Sequence, residues 1–271
     1  MLRGMHDMRG LVLRATDGEL GKVDQFLFDD EQWAVRYMVV NTGGWLLKEL
    51  VLISPRSIRA VDWAEQQIAV NLTRQQVQDA PDISADKPVS RQKEAELATY
   101  YGYEPYWYGP GLWGGAAFPY YAGHIAGYAP APLAATSPRP QGTPPAKEQG
   151  DEHLRSTREV RGYHIRAHDG EIGHVEDFVC DDESWSIRYL VVDTGSWWPG
   201  KQVVISPRWI SAITWSDRTV EVDLLRDQIK QGPDYDPAAL NRDYEQRLHR
   251  HYDRRGYWET APLPAEGQHP G

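Results

Sequence analysis

Residues 9–83 and residues 161–235 carry one pattern twice, without a gap, at a constant offset of 152. Arg9-Gly10 returns as Arg161-Gly162, Asp17-Gly18-Glu19 as Asp169-Gly170-Glu171, and Asp29-Asp30-Glu31 as Asp181-Asp182-Glu183. Trp33, Arg36-Tyr37 and Val39-Val40 return as Trp185, Arg188-Tyr189 and Val191-Val192, and Ile53-Ser54-Pro55-Arg56 as Ile205-Ser206-Pro207-Arg208. About half of the aligned positions are identical. Units of this size are duplicated domains rather than turns of a solenoid, because each is long enough to close a core. The duplication also works as a filter: a residue with a shared task should appear in both copies.

Each copy alone is small enough to be marginally stable, so packing against the other copy or another chain would help it. The net charge of −10 over 271 residues argues against a nonspecific nucleic-acid binder, which neutralises phosphates with Lys and Arg. One cysteine allows no intrachain disulfide, which fits a reducing compartment. The first residues lack the apolar stretch of a signal peptide, and no run of about 18 apolar residues supports a transmembrane helix. The expected location is the cytoplasm.

The first copy reads as short strands near 10–14, 21–29, 34–41, 50–53, 57–62 and 67–71, separated by explicit turns such as Asp17-Gly18 and Thr42-Gly43-Gly44. Such a series predicts a sandwich or small barrel. Strict alternation along 33–40 places Trp33, Val35, Tyr37 and Val39 on one face and Arg36, Met38 and Val40 on the other. A strand apolar on both faces suits a barrel wall covered from outside. The expected fold is mainly β: two small antiparallel β-barrels in tandem, each followed by short helices.

Leu72 to Val77 and Leu224 to Ile229 read as short helices, with Pro81 and Pro233 beyond them. The duplication continues at an offset of 151, matching Arg91, Glu94, Leu97, Tyr101, Tyr106 and Trp107 to Arg242, Glu245, Leu248, Tyr252, Tyr257 and Trp258. Each set predicts a helix opened by Ser90 or Asn241 and running into an aromatic tail. The chain thus divides into a first domain at 9–83, a helix plus Tyr/Trp/Gly/Pro-rich linker at 84–157, a second domain at 161–235, and a basic helix with an aromatic tail at 240–258. The aromatic residues after Tyr100 are expected to pack back onto the two domains.

The paired pattern Asp-Gly-Glu-x-Gly-x-Val-x-x-Phe, Asp-Asp-Glu-x-Trp-x-x-Arg-Tyr-x-Val-Val-x-Thr-Gly and Ile-Ser-Pro-Arg resembles the PRC-barrel family. That family is named for the cytoplasmic domain of the photosynthetic reaction centre H subunit and includes the C-terminal domain of the ribosome maturation factor. The resemblance implies small SH3-like β-barrels serving assembly and interaction, and the tandem form looks like the stand-alone bacterial members. This chain shows neither the transmembrane helix of the H subunit nor the separate N-terminal barrel of the maturation factor, so only the fold is carried over.

Several residues invite chemistry. Asp29-Asp30 and Asp181-Asp182 offer carboxylates for a weak cation site, although such turns more often cap backbone N–H groups. His164, His168 and His174 face Val12, Thr16 and Lys22 in the other copy, and Cys180 faces Phe28, so zinc and nucleophilic-thiol roles fail the filter. Ser54 and Ser206 lack a nucleophile elbow, and their Ser-Pro-Arg runs read as strand-ending bends with an arginine free to pair with a carboxylate. Arg36 and Arg188 are expected either in intradomain ion pairs or, with Trp45, Trp197 and Trp198, at a partner interface. The arginines of 241–257 are expected to dock on the acidic domains or face solvent.

No catalytic residue, metal or cofactor is assigned. The expectation is a non-enzymatic protein-interaction or scaffold module with a protein partner, forming a homodimer or an intrachain pseudo-dimer. Two alternatives stand beside it: a ribosome- or RNA-associated factor, and a small-ligand binder at the interface of the two domains.

Overall fold

The computed structural model describes residues 1–44, 49–81, 89–119, 153–195 and 200–259. The strands of the first half are β1 (Leu2–Gly4), β2 (Val12–Ala15), β3 (Gly18–Asp29), β4 (Ala34–Asn41), β5 (Leu50–Ile53), β6 (Ile58–Asp62) and β7 (Gln67–Val70), followed by helices α1 (Arg74–Asp79) and α2 (Arg91–Tyr101). The second half holds β8 (Leu154–Ser156), α3 (Thr157–Val160), β9 (His164–Ala167), β10 (Gly170–Asp181), β11 (Ser186–Asp193), β12 (Gln202–Ile205), β13 (Ile210–Thr214), β14 (Thr219–Val222), α4 (Arg226–Gln231) and α5 (Arg242–His251).

The architecture departs from two closed antiparallel barrels. All the described strands join one mixed 14-stranded sheet, in the order β13-β14-β9-β10-β11-β4-β3-β2-β7-β6, with β5 on β4, β12 on β11, β1 on β10 and β8 on β3. It is not closed into a barrel. Two pairs are parallel, β2 with β7 and β9 with β14. Two local causes are visible. Pro55–Ser57 and Pro207–Trp209 form 3₁₀ turns, capped by Ser54 and Ser206, that swing β6 and β13 away from β5 and β12. At the centre the sheet runs from one half into the other: Val35 N–H donates to Trp185 O at 2.8 Å, and Ile187 N–H to Trp33 O at 2.7 Å. Trp33 and Trp185 reach this junction with φ of 55° and 59°, a conformation uncommon for bulky residues that both copies keep.

β4 is buried on both faces, as expected, but its alternation breaks at one residue. In the ladder with β3, Leu27 pairs with Tyr37 and Phe28 with Val35, so Arg36 is passed over as a bulge. Arg188 is passed over in the same way between Tyr189 and Ile187. A bulge adds one residue and re-aims its neighbours. Val35 therefore joins Met38 and Val40 in the large core, while Tyr37 and Val39 face a smaller core with Leu97 of α2. Arg36 turns outward with Tyr37, not inward with Met38 as strict alternation predicts. Glycine is required beside this strand, since a methyl at Gly21 would lie 2.0 Å from Asn41 O and one at Gly173 would lie 1.9 Å from Asp193 O.

The helices start where their caps dictate. Thr73 closes a capping box with Gln76, Ser90 Oγ accepts from Lys93 N–H, and Asn241 Oδ1 accepts from Tyr244 N–H at 2.9 Å. Asp17 and Asp169 each accept the first helical N–H, of Arg74 and Arg226, at 2.8 Å. No helix among the described residues is long and apolar enough to cross a membrane.

Candidate functional site

Two constellations occur in both halves, and both are built on residues adjoining β4 and β11. The first joins the halves. β1, which precedes the first copy, pairs with β10 of the second; β8, which precedes the second copy, pairs with β3 of the first. The registers are equivalent, Arg3 opposite Cys180 and Arg155 opposite Phe28. Each arm is extended by one more backbone bond, from Asp182 N–H to Met1 O at 2.9 Å and from Asp30 N–H to His153 O at 3.0 Å. The arm arginines then meet the acidic turns: Arg3 Nε donates to Asp182 Oδ2 at 2.7 Å, and Arg155 Nε to Asp30 Oδ2 at 3.0 Å. Behind each pair stands a tryptophan, with the Arg3 guanidinium 3.7 Å above the Trp63 ring and that of Arg155 4.1 Å above Trp215. Charge pairing, strand addition and cation–π stacking thus converge on one side chain per arm. Burial raises the Asp30 carboxyl above its ordinary value, and the Arg155 hydrogen bond partly offsets it.

The second constellation fixes each helix-and-tail segment to its strand. Arg36, 1% exposed, donates to Asp29 Oδ2 at 3.2 Å, to Gln32 Oε1 at 2.8 Å and to Leu112 O at 2.5 Å. Its guanidinium lies 3.7 Å from the Tyr106 ring centre. Tyr106 O–H donates to the fully buried Glu94 at 3.1 Å, and Glu94 also takes Tyr37, Arg91 and His153. In the second half Arg188 pairs with Asp181 at 3.2 Å and lies 3.9 Å from the Tyr257 ring, while Tyr189 O–H donates to Glu245 at 2.9 Å. Arg242 completes it at 3.0 Å from Glu245. Burial and then the adjacent carboxylates push Tyr37 and Tyr189 well above the ordinary phenol range. Burial opposes ionisation of Asp181, but hydrogen bonds from Ser184, Glu183 N–H and Arg188 prevail and hold it below its usual range.

These clusters locate most of the residues singled out by sequence. Arg36 and Arg188 lie in intradomain ion pairs and turn their faces to the chain's own tyrosines. Four guanidiniums meet Asp29, Asp30, Asp181 and Asp182, and no group of three or more His, Cys, Asp or Glu among the described residues is arranged to hold a metal. Trp45, Trp197 and Trp198 lie outside the described residues. Arg56 differs from expectation: it donates to the carbonyls of Glu104 and Trp113 rather than to a carboxylate, because the tail after α2 folds back over it. Cys180 is fully buried, and burial raises its thiol pKa well above the usual range. A cavity of about 20 Å³ lies beside Arg36, Tyr37, Arg56 and Tyr103, room for about one water.

Sequence reasoning did not find the arms. The signal was present: Leu2-Arg3 recurs as Leu154-Arg155, and Trp63 as Trp215, at the same offset of 152. The roles of Glu94 and Glu245 were likewise visible only as a matched pair.

A family model of the PRC-barrel domain matches residues 152–229. The match opens at the second arm and closes within α4, and so covers one of the two copies. No curated protein matches the chain.

Proposed function

We propose that this chain is a non-enzymatic protein-interaction or scaffold module built from two PRC-barrel units, the first related to the matched second by the duplication. The observation that carries the reading is the fate of the repeated polar residues. Asp29, Arg36, Tyr37 and Glu94, and their counterparts Asp181, Arg188, Tyr189 and Glu245, are spent on one another and on ordering the helix and tail. What is duplicated is therefore a way of holding segments of chain against a sheet, the chemistry of assembly. Affinity capture with the full chain and with Trp45→Ala/Trp197→Ala tests the proposal. The wild type should recover a discrete set of proteins that the variant loses while remaining folded. Recovery of the same set by both would remove Trp45 and Trp197 from the interface, and recovery of none by the wild type would remove the scaffold reading.

A second reading, an RNA-associated factor, draws on α5 and the residues that follow it. Arg247, Arg250 and Arg255 are exposed there, whereas the matching positions after Ser90 are Glu96, Thr99 and Glu104. Retention on heparin or RNA that is lost by about 0.3 M salt, as counterion release requires, would favour it; passage straight through would leave the first reading.

A further inference from the structure

The contact between the halves is built from pieces that each half offers in the same form. Each half presents one arm, one receiving strand (β3 or β10), one acidic turn and one tryptophan. The first arm crosses to the second half and the second arm crosses to the first. Between them lies the Trp33/Trp185 junction, where the two backbone bonds are also exchanged reciprocally. Phe28 stacks on Trp33 at 5.2 Å and leans on Phe178 at 5.7 Å, so the halves share one core there. Trp113 of the first tail adds a bond to Ser184 O at 2.8 Å in the second half. These are the parts of an isologous dimer interface: residue i of one half meets j of the other, and the counterpart of j meets the counterpart of i.

Nothing in this contact depends on the two halves belonging to one polypeptide. We propose that the junction is an assembly interface in its own right, whose external partner is a second copy of this chain. The first half of one copy binds the second half of another by the same reciprocal arm exchange, giving an exchanged dimer. Arg3 with Asp182, and Arg155 with Asp30, form its pairing code. This goes beyond the scaffold reading and does not require it, since the contact is made by this chain with itself.

Charge reversal tests the code. One full-length variant carries Arg3→Asp and Asp30→Arg, reversing the first half; the other carries Asp182→Arg and Arg155→Asp, reversing the second. Within either chain both latches then face like charges. Between the two variants both latches are opposite in sign, in both of the interfaces an exchanged dimer contains. Unfolded together and refolded as a mixture, the pair should give a 1:1 dimer of twice the chain mass by size exclusion with light scattering. Either variant alone should not. The chain carrying all four substitutions restores complementarity within itself and should return as a closed monomer. A mixture that yields only the two separate species, or that stays unfolded while the fourfold variant folds, overturns the proposal. A further measurement holds even if the reversals fail to fold: wild-type chains bearing two different tags, refolded together at high concentration, should give a mixed-tag dimer. Its absence overturns the exchange.

Discussion

The two halves use the same arginine differently, and the difference lies outside the repeat. In both, a bulge turns an arginine outward onto an aspartate and a tyrosine. The Arg36 and Asp29 side chains are 1% and 3% exposed, whereas those of Arg188 and Asp181 are 20% and 18% exposed. In the first half the chain continues past Trp107 and lays Leu112 O and Trp113 over the guanidinium. The histidines differ as well. Glu94 receives His153, which enters just ahead of the second copy's arm; in the second half His249 comes from α5 itself and bonds Tyr189 at 3.0 Å. The first clamp takes its histidine from the neighbouring half, and the second takes it from its own helix. The duplicated residues define the clamp, and the segments beyond them decide how dry and how coupled it is.

The largest expected effect separates the two arginines. Arg36→Ala leaves Asp29 buried without its counter-ion, which costs about 3–5 kcal/mol. Arg188→Ala leaves a carboxylate that water can reach and that Ser184 still satisfies, for a loss of about 1–2 kcal/mol. Urea denaturation with unchanged slope reads both values. Equal losses would break the comparison, because the cover supplied by Leu112 and Trp113 would then contribute nothing.

A smaller effect concerns coupling between the halves. A double-mutant cycle on Glu94→Gln and His153→Ala should show about 1–2 kcal/mol of interaction, because the two side chains touch deep in the first half's clamp. The matching cycle on Glu245→Gln and His249→Ala joins residues one helical turn apart on α5 that share the Tyr189 hydroxyl, and about half a kcal/mol is expected. Similar values in both cycles would mean that the histidine crossing between halves has no special part in coupling them.

Much of this molecule was legible in the sequence because strands, caps and turns are local matters. The predicted strands fall within a few residues of β2 to β7, and Ser90 and Asn241 cap their helices. The burial of Cys180 followed from its pairing with Phe28 across the copies. What escaped is non-local. Period-two reasoning could not foresee the bulges at Arg36 and Arg188, because a bulge is a property of two strands in register. Nor could it foresee that Leu2–Gly4 and Leu154–Ser156 leave their own copies, since three residues carry too little periodicity to announce a strand. The open mixed sheet follows from the same kind of event. Main-chain bonds from Val35 to Trp185 and from Ile187 to Trp33 fuse two units that each read, on their own, as closed.

The smallest effect concerns one position where the copies differ in charge. Gln25 of β3 accepts from the second arm's Ser156, and its counterpart on β10, Asp177, accepts from His6 N–H at 3.0 Å. Burial raises the Asp177 carboxyl to about 6, with the backbone bonds from Phe178 and His6 opposing the shift. A folded pKa above the unfolded value of 3.8 means that the protonated carboxyl favours the fold. Its contribution is fully present below that unfolded value and is lost as pH rises through 6. Asp177→Asn makes the second half resemble the first and removes this loss. The variant should match the wild type near pH 4 and exceed it by about 1–2 kcal/mol near pH 8, less than the full linkage value because the site is partly open to solvent. The measurement is chemical denaturation of both proteins at several pH values across that window. A gap that stays constant from pH 4 to pH 8 would show that the Asp177 carboxylate is well hydrated. The two arms would then sit in equivalent electrostatic surroundings despite the glutamine-for-aspartate difference.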